Sequence, residues 1–461
     1  MAEPTERDAT VEKGQAEAVA REVFGTRLGF ILAAVGSAVG LGNMWRFPYA
    51  VAEGGGAAFV VLYILMTLLV GIPVMLAEFT VGRGARLSPI GALARAGGRG
   101  WKPLGYVFVL AGLLILSYYS VIAGWTVRYG IEGILSGFPA NPGNHFQQIS
   151  TGMPAIVYHV TFMLVTISIV MVGVEKGIER AALVLMPALF LILIGLGLWA
   201  SRLGGAGEGY AFYLQPSFGE LLDPQVLQAA GAQAFFSLSL GMGAMLTFAS
   251  YLSRDDDLPQ EGTIIAFSDF GVAFVAGLVV FPVIFALGLS GEVGESTVGA
   301  LFIALPGAFV EMGAVGRVVG VLFFVALTVG ALTSAISLLE VVTASLIDEF
   351  AVRRKAAAVT AGLLVTLMGF VPALSLDLLG VVDKVAGELL LVLGGFGICV
   401  LVGWKMKDAA AELRRGASPA FAAVGEKALV MVKWVAPVIL LYVIYFTLTA
   451  TVQLLRDTFG G

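Results

Sequence analysis

Groups that carry chemistry are scarce in this chain of 461 residues. A single cysteine, Cys399, excludes an internal disulfide framework and a thiolate-bound zinc or iron–sulfur site. The two histidines, His145 and His159, lack the spacing of paired metal ligands. Only 13% of residues are charged, against about a quarter in a soluble domain. A net charge of −5 provides no basic surface, so a nucleic-acid partner is not expected. The first 20 residues are polar and acidic, which predicts a cytoplasmic tail rather than a cleavable signal peptide. Without a His/Cys cluster or a paired-carboxylate dyad in the apolar core, an intramembrane enzyme is disfavoured.

Apolar residues are abundant, at 58% of the chain, and they are clustered. Runs of 18 or more mostly apolar residues recur between residues 28 and 455, each long enough to cross a hydrocarbon core of about 30 Å. This pattern predicts an all-α polytopic protein whose first partner is the lipid bilayer. Eleven spans are expected, near 28–50, 57–82, 104–134, 155–174, 178–201, 228–252, 263–290, 317–350, 356–372, 380–404 and 430–455. Residues 291–316 are too interrupted to cross and predict a helical hairpin in an external loop.

Lysine and arginine set the orientation. With the N-terminus inside, inner segments hold Arg83, Arg86, Arg95, Arg99 and Lys102, Lys176 and Arg180, Arg353 to Lys355, and six more between Lys405 and Lys433. The outer side keeps only Arg46, Arg128, Arg202, Arg317, Lys384 and Arg456. The positive-inside rule therefore predicts a plasma (inner) membrane protein with a cytoplasmic N-terminus and, for an odd number of spans, an extracellular C-terminus.

Two spans are poor continuous helices. The first contains Gly36, Ser37, Ala38, Val39, Gly40, Leu41, Gly42 and Asn43; the sixth contains Ser237, Ser239, Gly241, Met242 and Gly243. Either stretch alone could serve close helix packing through small residues. Two such stretches five spans apart point instead to inverted repeats with a site at mid-membrane.

The residues then become recognisable. RLGFILAAVGSAVGLGNMWRFPY at 27–49 resembles the first helix of the neurotransmitter:sodium symporter family. The likeness continues through 118–119 (YY), 175–187 (EKGIERAALVLMP), 235–251 (FFSLSLGMGAMLTFASY), 330–339 (GALTSAISLL) and 381–388 (VVDKVAGE). It covers nearly the whole chain and is nearest to bacterial members with eleven helices that carry hydrophobic amino acids. The resemblance implies the leucine-transporter (LeuT-type) fold, a 5+5 inverted repeat with unwound first and sixth helices plus an eleventh helix. The segments would be a tail at 1–24, repeats at 25–202 and 228–404, an extracellular loop at 203–227, and a linker with the last helix at 405–461.

The function implied is sodium-coupled symport of neutral, hydrophobic L-amino acids by alternating access. Alternatives are a carrier of small amino acids and a non-transporting sensor. Aspartate stands in the family's amine carriers where this chain has Gly40, so the substrate should bring its own carboxylate. The half-helix beginning near Gly40 to Asn43 would meet that carboxylate with free N–H groups and a positive dipole end.

Two sodium ions are expected from the resemblance. Site 1 would use the Ala38 carbonyl, Asn43, Ser237, a seventh-helix residue and the substrate carboxylate. Asp269 is the choice there, with Gly277 eight residues on matching the family spacing, and Ser268 is the competitor. An aspartate supplies the fixed charge that chloride provides elsewhere, which implies chloride independence, although Tyr63, Gln233 and Ser237 still match the chloride-site positions. Site 2 would use the carbonyls of Gly36, Val39 and Gly330 and the hydroxyls of Thr333 and Ser334. Back-bonding of those hydroxyls to their own helix is the structural alternative.

The resemblance lines the pocket with Ser37, Ala38, Gly40, Leu41, Gly42, Ile115, Tyr119, Phe236, Ser237, Ser239, Met242, Ser334 and Leu338. Tyr119 would donate to the carboxylate and Phe236 would close from outside. Charges within spans need partners. Arg46 would pair with Asp383 as an outer gate, and Arg21 with Asp348 as an inner one, assisted by Phe24, Ser250 and Tyr251. Gly177 and Pro187 read either as an unwinding device or as a simple kink of the fifth helix.

Overall fold

The computed structural model describes residues 22–216, 219–286, 288 and 300–459. Among them there is no β-strand. Nine helices are long and apolar enough to span: Ala57–Ala85, Arg99–Leu135, Gly152–Val170, Val174–Ala200, Leu258–Ala286, Gly313–Phe350, Arg354–Leu374, Leu376–Lys405 and Pro419–Thr458. A further span is bent by 44° between Arg27–Ala38 and Gly42–Glu53. Another is interrupted between Pro224–Ser237 and Ala244–Ala249. Helices from all eleven expected regions are therefore present, the first and sixth broken.

Most boundaries shift by a few residues, and the start of the last helix by more. The eighth helix starts at Gly313 rather than near 317, and the last runs back to Pro419, into the expected linker. Short helices Pro89–Gly97, Pro142–Ile149, Ala206–Leu214 and Ala409–Arg414 occupy connections that carried no helical expectation. Of the external hairpin, Ala300–Ala304 and Leu305–Glu311 are helical, and its first limb at 289–299 lies outside the described residues.

Among the described residues the third and eighth helices share the most extensive helix–helix interface, and the first half of the broken first span packs on the eighth, fifth and seventh helices. Both breaks are fully buried, and an unpaired backbone group there would cost several kcal/mol in lipid. The freed groups find side-chain partners. Gly40 N–H donates to Asn43 Oδ1 (3.2 Å), and Leu41 N–H to the Tyr119 hydroxyl (3.0 Å). Gln233 Nε2 donates to the Gly42 carbonyl (2.8 Å). In the sixth span, Glu78 of the second helix accepts from Gly241 N–H (2.7 Å) and Leu246 N–H (3.3 Å). That sixth break is held open by left-handed backbone at Ser239, Gly241 and Gly243 (φ +53°, +75° and +80°).

In the conformation seen, the fifth helix is wound. Gly177 sits in a wide π-type turn, Val174–Glu179, and Pro187 lies inside the continuous helix Arg180–Ala200. A Cβ on Gly177 would come within 2.2 Å of the Ile169 carbonyl, so close packing accounts for this glycine in the conformation seen.

Candidate functional site

The two breaks meet. Ser239 of the sixth span donates to the Ser37 carbonyl (2.8 Å), while Ser334 of the eighth helix donates to the carbonyls of Gly36 (3.3 Å) and Ser37 (3.1 Å). Ser37 itself donates to Ser337 (2.7 Å), a hydroxyl that the sequence reading passed over. The result is a seam of backbone and hydroxyl oxygens where the two breaks meet. Ile115, Met242, Leu338 and Phe236, the expected apolar lining, are all buried.

Gly40 has no room for a side chain. A Cβ there would lie 2.3 Å from Ser334 Oγ and 2.5 Å from the Tyr119 hydroxyl. Gly42 faces Phe236, whose ring would be 2.9 Å from an added Cβ. With no side chains at these two positions, Ser334, Tyr119 and Phe236 pack directly against the half-helix.

Next to this lies a knot around Asp269. Asn43 Nδ2 donates to its Oδ1 (2.7 Å) and to its carbonyl (3.0 Å), while Ser237 Oγ (2.7 Å) and the Tyr63 hydroxyl (3.1 Å) donate to Oδ2. Burying a carboxylate is costly unless its lone pairs are satisfied, and here three side chains from three helices satisfy them. Asp269 is fully buried whereas Ser268 is partly exposed, so the structure selects Asp269 as the residue facing Asn43 and Ser237. Ala38 is buried at the end of the adjoining half-helix. The set consists of hard oxygens with one formal charge, suited to an alkali cation rather than a soft metal.

The residues proposed for the second ion also converge. An added Cβ on Gly330 would lie 3.7 Å from the Val39 carbonyl, and one on Gly36 would lie 3.0 Å from Thr333 Cβ. The two hydroxyls behave differently. Thr333 makes the back-bond to its own helix, at 3.0 Å from the Gly330 carbonyl, while Ser334 crosses to the first span.

Outside the pocket, Arg46 lies 4.7 Å from the centre of the Phe236 ring. Its Nη1 is 3.6 Å from Asp383 Oδ1, a charge contact beyond hydrogen-bond reach. The shorter bond, missed in the sequence, is from Nη2 to Glu388 Oε1 at 2.8 Å. Asp383 instead accepts from the Tyr118 hydroxyl at 2.6 Å.

On the inner side, Arg21 lies outside the described residues. Asp348 accepts from Ser88 N–H (2.6 Å), and Phe24 packs edge-on against Phe248 and Tyr251. Ser250 donates to the Thr247 carbonyl (2.6 Å). Tyr251 donates to buried Glu340, which Arg354 also holds at 2.5 Å, and Arg354 reaches Glu22 at 3.1 Å. Glu340 was detectable in the sequence, because a carboxylate inside an apolar span requires a partner.

Comparison with known proteins identifies relatives of this chain. The family model for the sodium:neurotransmitter symporter family matches residues 21–153 and 143–459. The uncharacterized sodium-dependent transporter YhdH of Bacillus subtilis is 35% identical over 414 residues, 86% of this chain and 91% of its own. The sodium-dependent neutral amino acid transporter SLC6A17 of Rattus norvegicus is 30% identical over 314 residues, 59% of this chain and 42% of its own. The crystal structure of MhsT in complex with L-phenylalanine superposes with a TM-score of 0.85 at 42% identity, covering 93% of this chain and all of that one. The chain belongs to the sodium:neurotransmitter symporter family and has the LeuT-type fold.

Proposed function

We propose that this protein is a symporter that couples inward movement of two sodium ions to uptake of a neutral, hydrophobic L-amino acid, without requiring chloride. The observation that carries the reading is the meeting of two buried helix breaks beside the Asp269 knot. The freed N–H groups at Leu41 and Gly42 and the Tyr119 hydroxyl suit the substrate carboxylate, and the carbonyls of the two breaks suit its ammonium group. The apolar wall of Ile115, Phe236, Met242 and Leu338 suits an uncharged side chain, with Met242 adapting to shape. The neutral amino acid carriers among the relatives, and MhsT crystallised with L-phenylalanine, support the same class.

Sodium at Ala38, Asn43, Ser237 and Asp269 would share the substrate carboxylate, tying ion to cargo. A second ion between Gly36, Val39, Gly330, Thr333 and Ser334 would join the first and eighth helices. Chloride independence is supported by Tyr63 and Ser237, two of the three residues at chloride-site positions, which already donate to Asp269. Ligands shift the alternating states only by binding them unequally. The sodium gradient plus the membrane potential, worth roughly 2.3 kcal/mol per charge per 100 mV, drives net uptake. The positive-inside bias supports a cytoplasmic N-terminus and an external C-terminus in the plasma membrane, and the two helix breaks support five-helix repeats at 25–202 and 228–404.

Uptake of radiolabelled phenylalanine and leucine into proteoliposomes, with sodium or potassium outside and gluconate replacing chloride, tests the proposal. Accumulation that requires the sodium gradient and survives chloride removal is expected. Sodium-dependent binding without accumulation would identify a sensor instead.

A further inference from the structure

We propose that Glu388, more than Asp383, holds Arg46 when the outer vestibule is closed, and that Lys384 and Tyr118 make that hold reversible. The proposal rests on the transport reading above and adds the chemistry of its outer gate.

The local backbone brings these groups together. Asp383 and Glu388 are five residues apart, which on an α-helix separates them by about 140° around the axis. Here Asp383–Leu390 is a π-type segment, whose bonds close at the fifth residue and bring both carboxylates round to one side. Gly387 leaves the space in which Tyr118 reaches Asp383: a Cβ there would lie 2.6 Å from Asp383 Oδ1 and 2.8 Å from the Tyr118 hydroxyl. The guanidinium that meets them ends a second π-type turn, Gly42–Arg46.

The contacts are unequal. Glu388 takes the direct bond from Arg46 at 2.8 Å, while Asp383 stands off at 3.6 Å. Each carboxylate has a second partner: Tyr118 for Asp383 at 2.6 Å, and the Lys384 ammonium for Glu388 at 2.7 Å. Removing one member of a poorly solvated ion pair normally strands the other at considerable cost. In this cluster Arg46 can swing away and leave neither carboxylate alone. Movement of Arg46 would also uncover Phe236 and join the pocket to the outer cavity of about 650 Å³ that Arg46, Asp383, Lys384 and Glu388 border.

The test uses the full-length protein in proteoliposomes with Ala232→Cys, a position that lines this cavity and is 2% exposed here, in a Cys399→Ala background. The rate of modification by a membrane-impermeant maleimide in sodium reports opening. Glu388→Gln should accelerate labelling roughly threefold or more, about the effect of losing an ion pair, and Asp383→Asn should accelerate it less. Lys384→Met should slow labelling, because Glu388 then depends on Arg46 alone. Wild-type labelling rates in Glu388→Gln, or acceleration in Lys384→Met, would overturn the proposal. Since labelling needs no net transport, a failure of sodium-driven uptake would count against the transport reading and leave this result separately readable. Should Glu388→Gln not reach the membrane, Glu388→Asp, which keeps the charge but shortens the reach, should still accelerate labelling; a wild-type rate would overturn the idea.

Discussion

The Ser239 hydroxyl donates to the Ser37 carbonyl at 2.8 Å, linking the interrupted sixth span to the first across 202 positions of sequence. Ser239 adopts a left-handed backbone (φ +53°), uncommon for a residue with a side chain. The strain is held by the glycines on either side of Met242 and by Glu78, which accepts two of the freed amides. The two breaks are therefore mutually supporting.

Gly241→Ala should disturb this arrangement directly. Its φ is +75°, and an added Cβ would come within 2.0 Å of the Leu391 carbonyl. A loss of more than about 2 kcal/mol is expected, from strain and overpacking together. Gly271→Ala, with open space at its Cβ, should change stability by about 1 kcal/mol or less. Thermal unfolding of the purified variants in one detergent compares them.

Asp269→Asn removes the charge but keeps the size. Uptake should be lost, or should become dependent on chloride as an anion replaces the carboxylate beside Tyr63 and Ser237. Unchanged transport in chloride-free buffer would remove Asp269 from its assigned role.

Thr333→Ala with Ser334→Ala should abolish sodium-dependent binding of substrate, measured by scintillation proximity with sodium varied. Of the single variants, Ser334→Ala should be the more damaging, because its hydroxyl reaches Gly36 and Ser37 while Thr333 bonds its own helix.

Tyr119→Phe keeps the ring and removes the hydroxyl that accepts the Leu41 N–H. A hydrogen bond to a charged group contributes about 1.5–3 kcal/mol, so substrate affinity should fall roughly tenfold or more. Equal affinity in equilibrium binding would exclude a bond to the substrate carboxylate.

Arg354→Gln should leave Glu340 short of charge compensation and lower the unfolding temperature. Adding Glu340→Gln should restore much of the loss, since an unpaired buried carboxylate is the larger penalty. No recovery in the double variant would show that the pair matters through another contact.

Much of this was legible before any fold was known. Glycines at 36, 40, 42, 241 and 243 marked the breaks, and the family spacing to Gly277 pointed to Asp269 over Ser268. Glu388 lay within the quoted motif at 381–388 without attracting notice. Read as an α-helix, the motif turns Glu388 away from Asp383; only the π-type winding brings both to Arg46. Glu340 is a carboxylate inside an apolar span, yet its partners Arg354 and Tyr251 lie 14 and 89 positions away and are chosen by helix packing. Gly177 and Pro187 admitted two readings, and the conformation seen has a continuous helix around Pro187.

Hydropathy alone determined that the chain is a helical membrane protein, because the bilayer requires long apolar runs with internally satisfied backbone. Glycine placement alone located the two weak points in that pattern. Which freed amide meets which side chain, and which acid receives Arg46, was decided only when helices distant in sequence packed together. Hydrogen bonds and ion pairs act over about 3 Å, and that is a property of where helices lie rather than of which residues they contain.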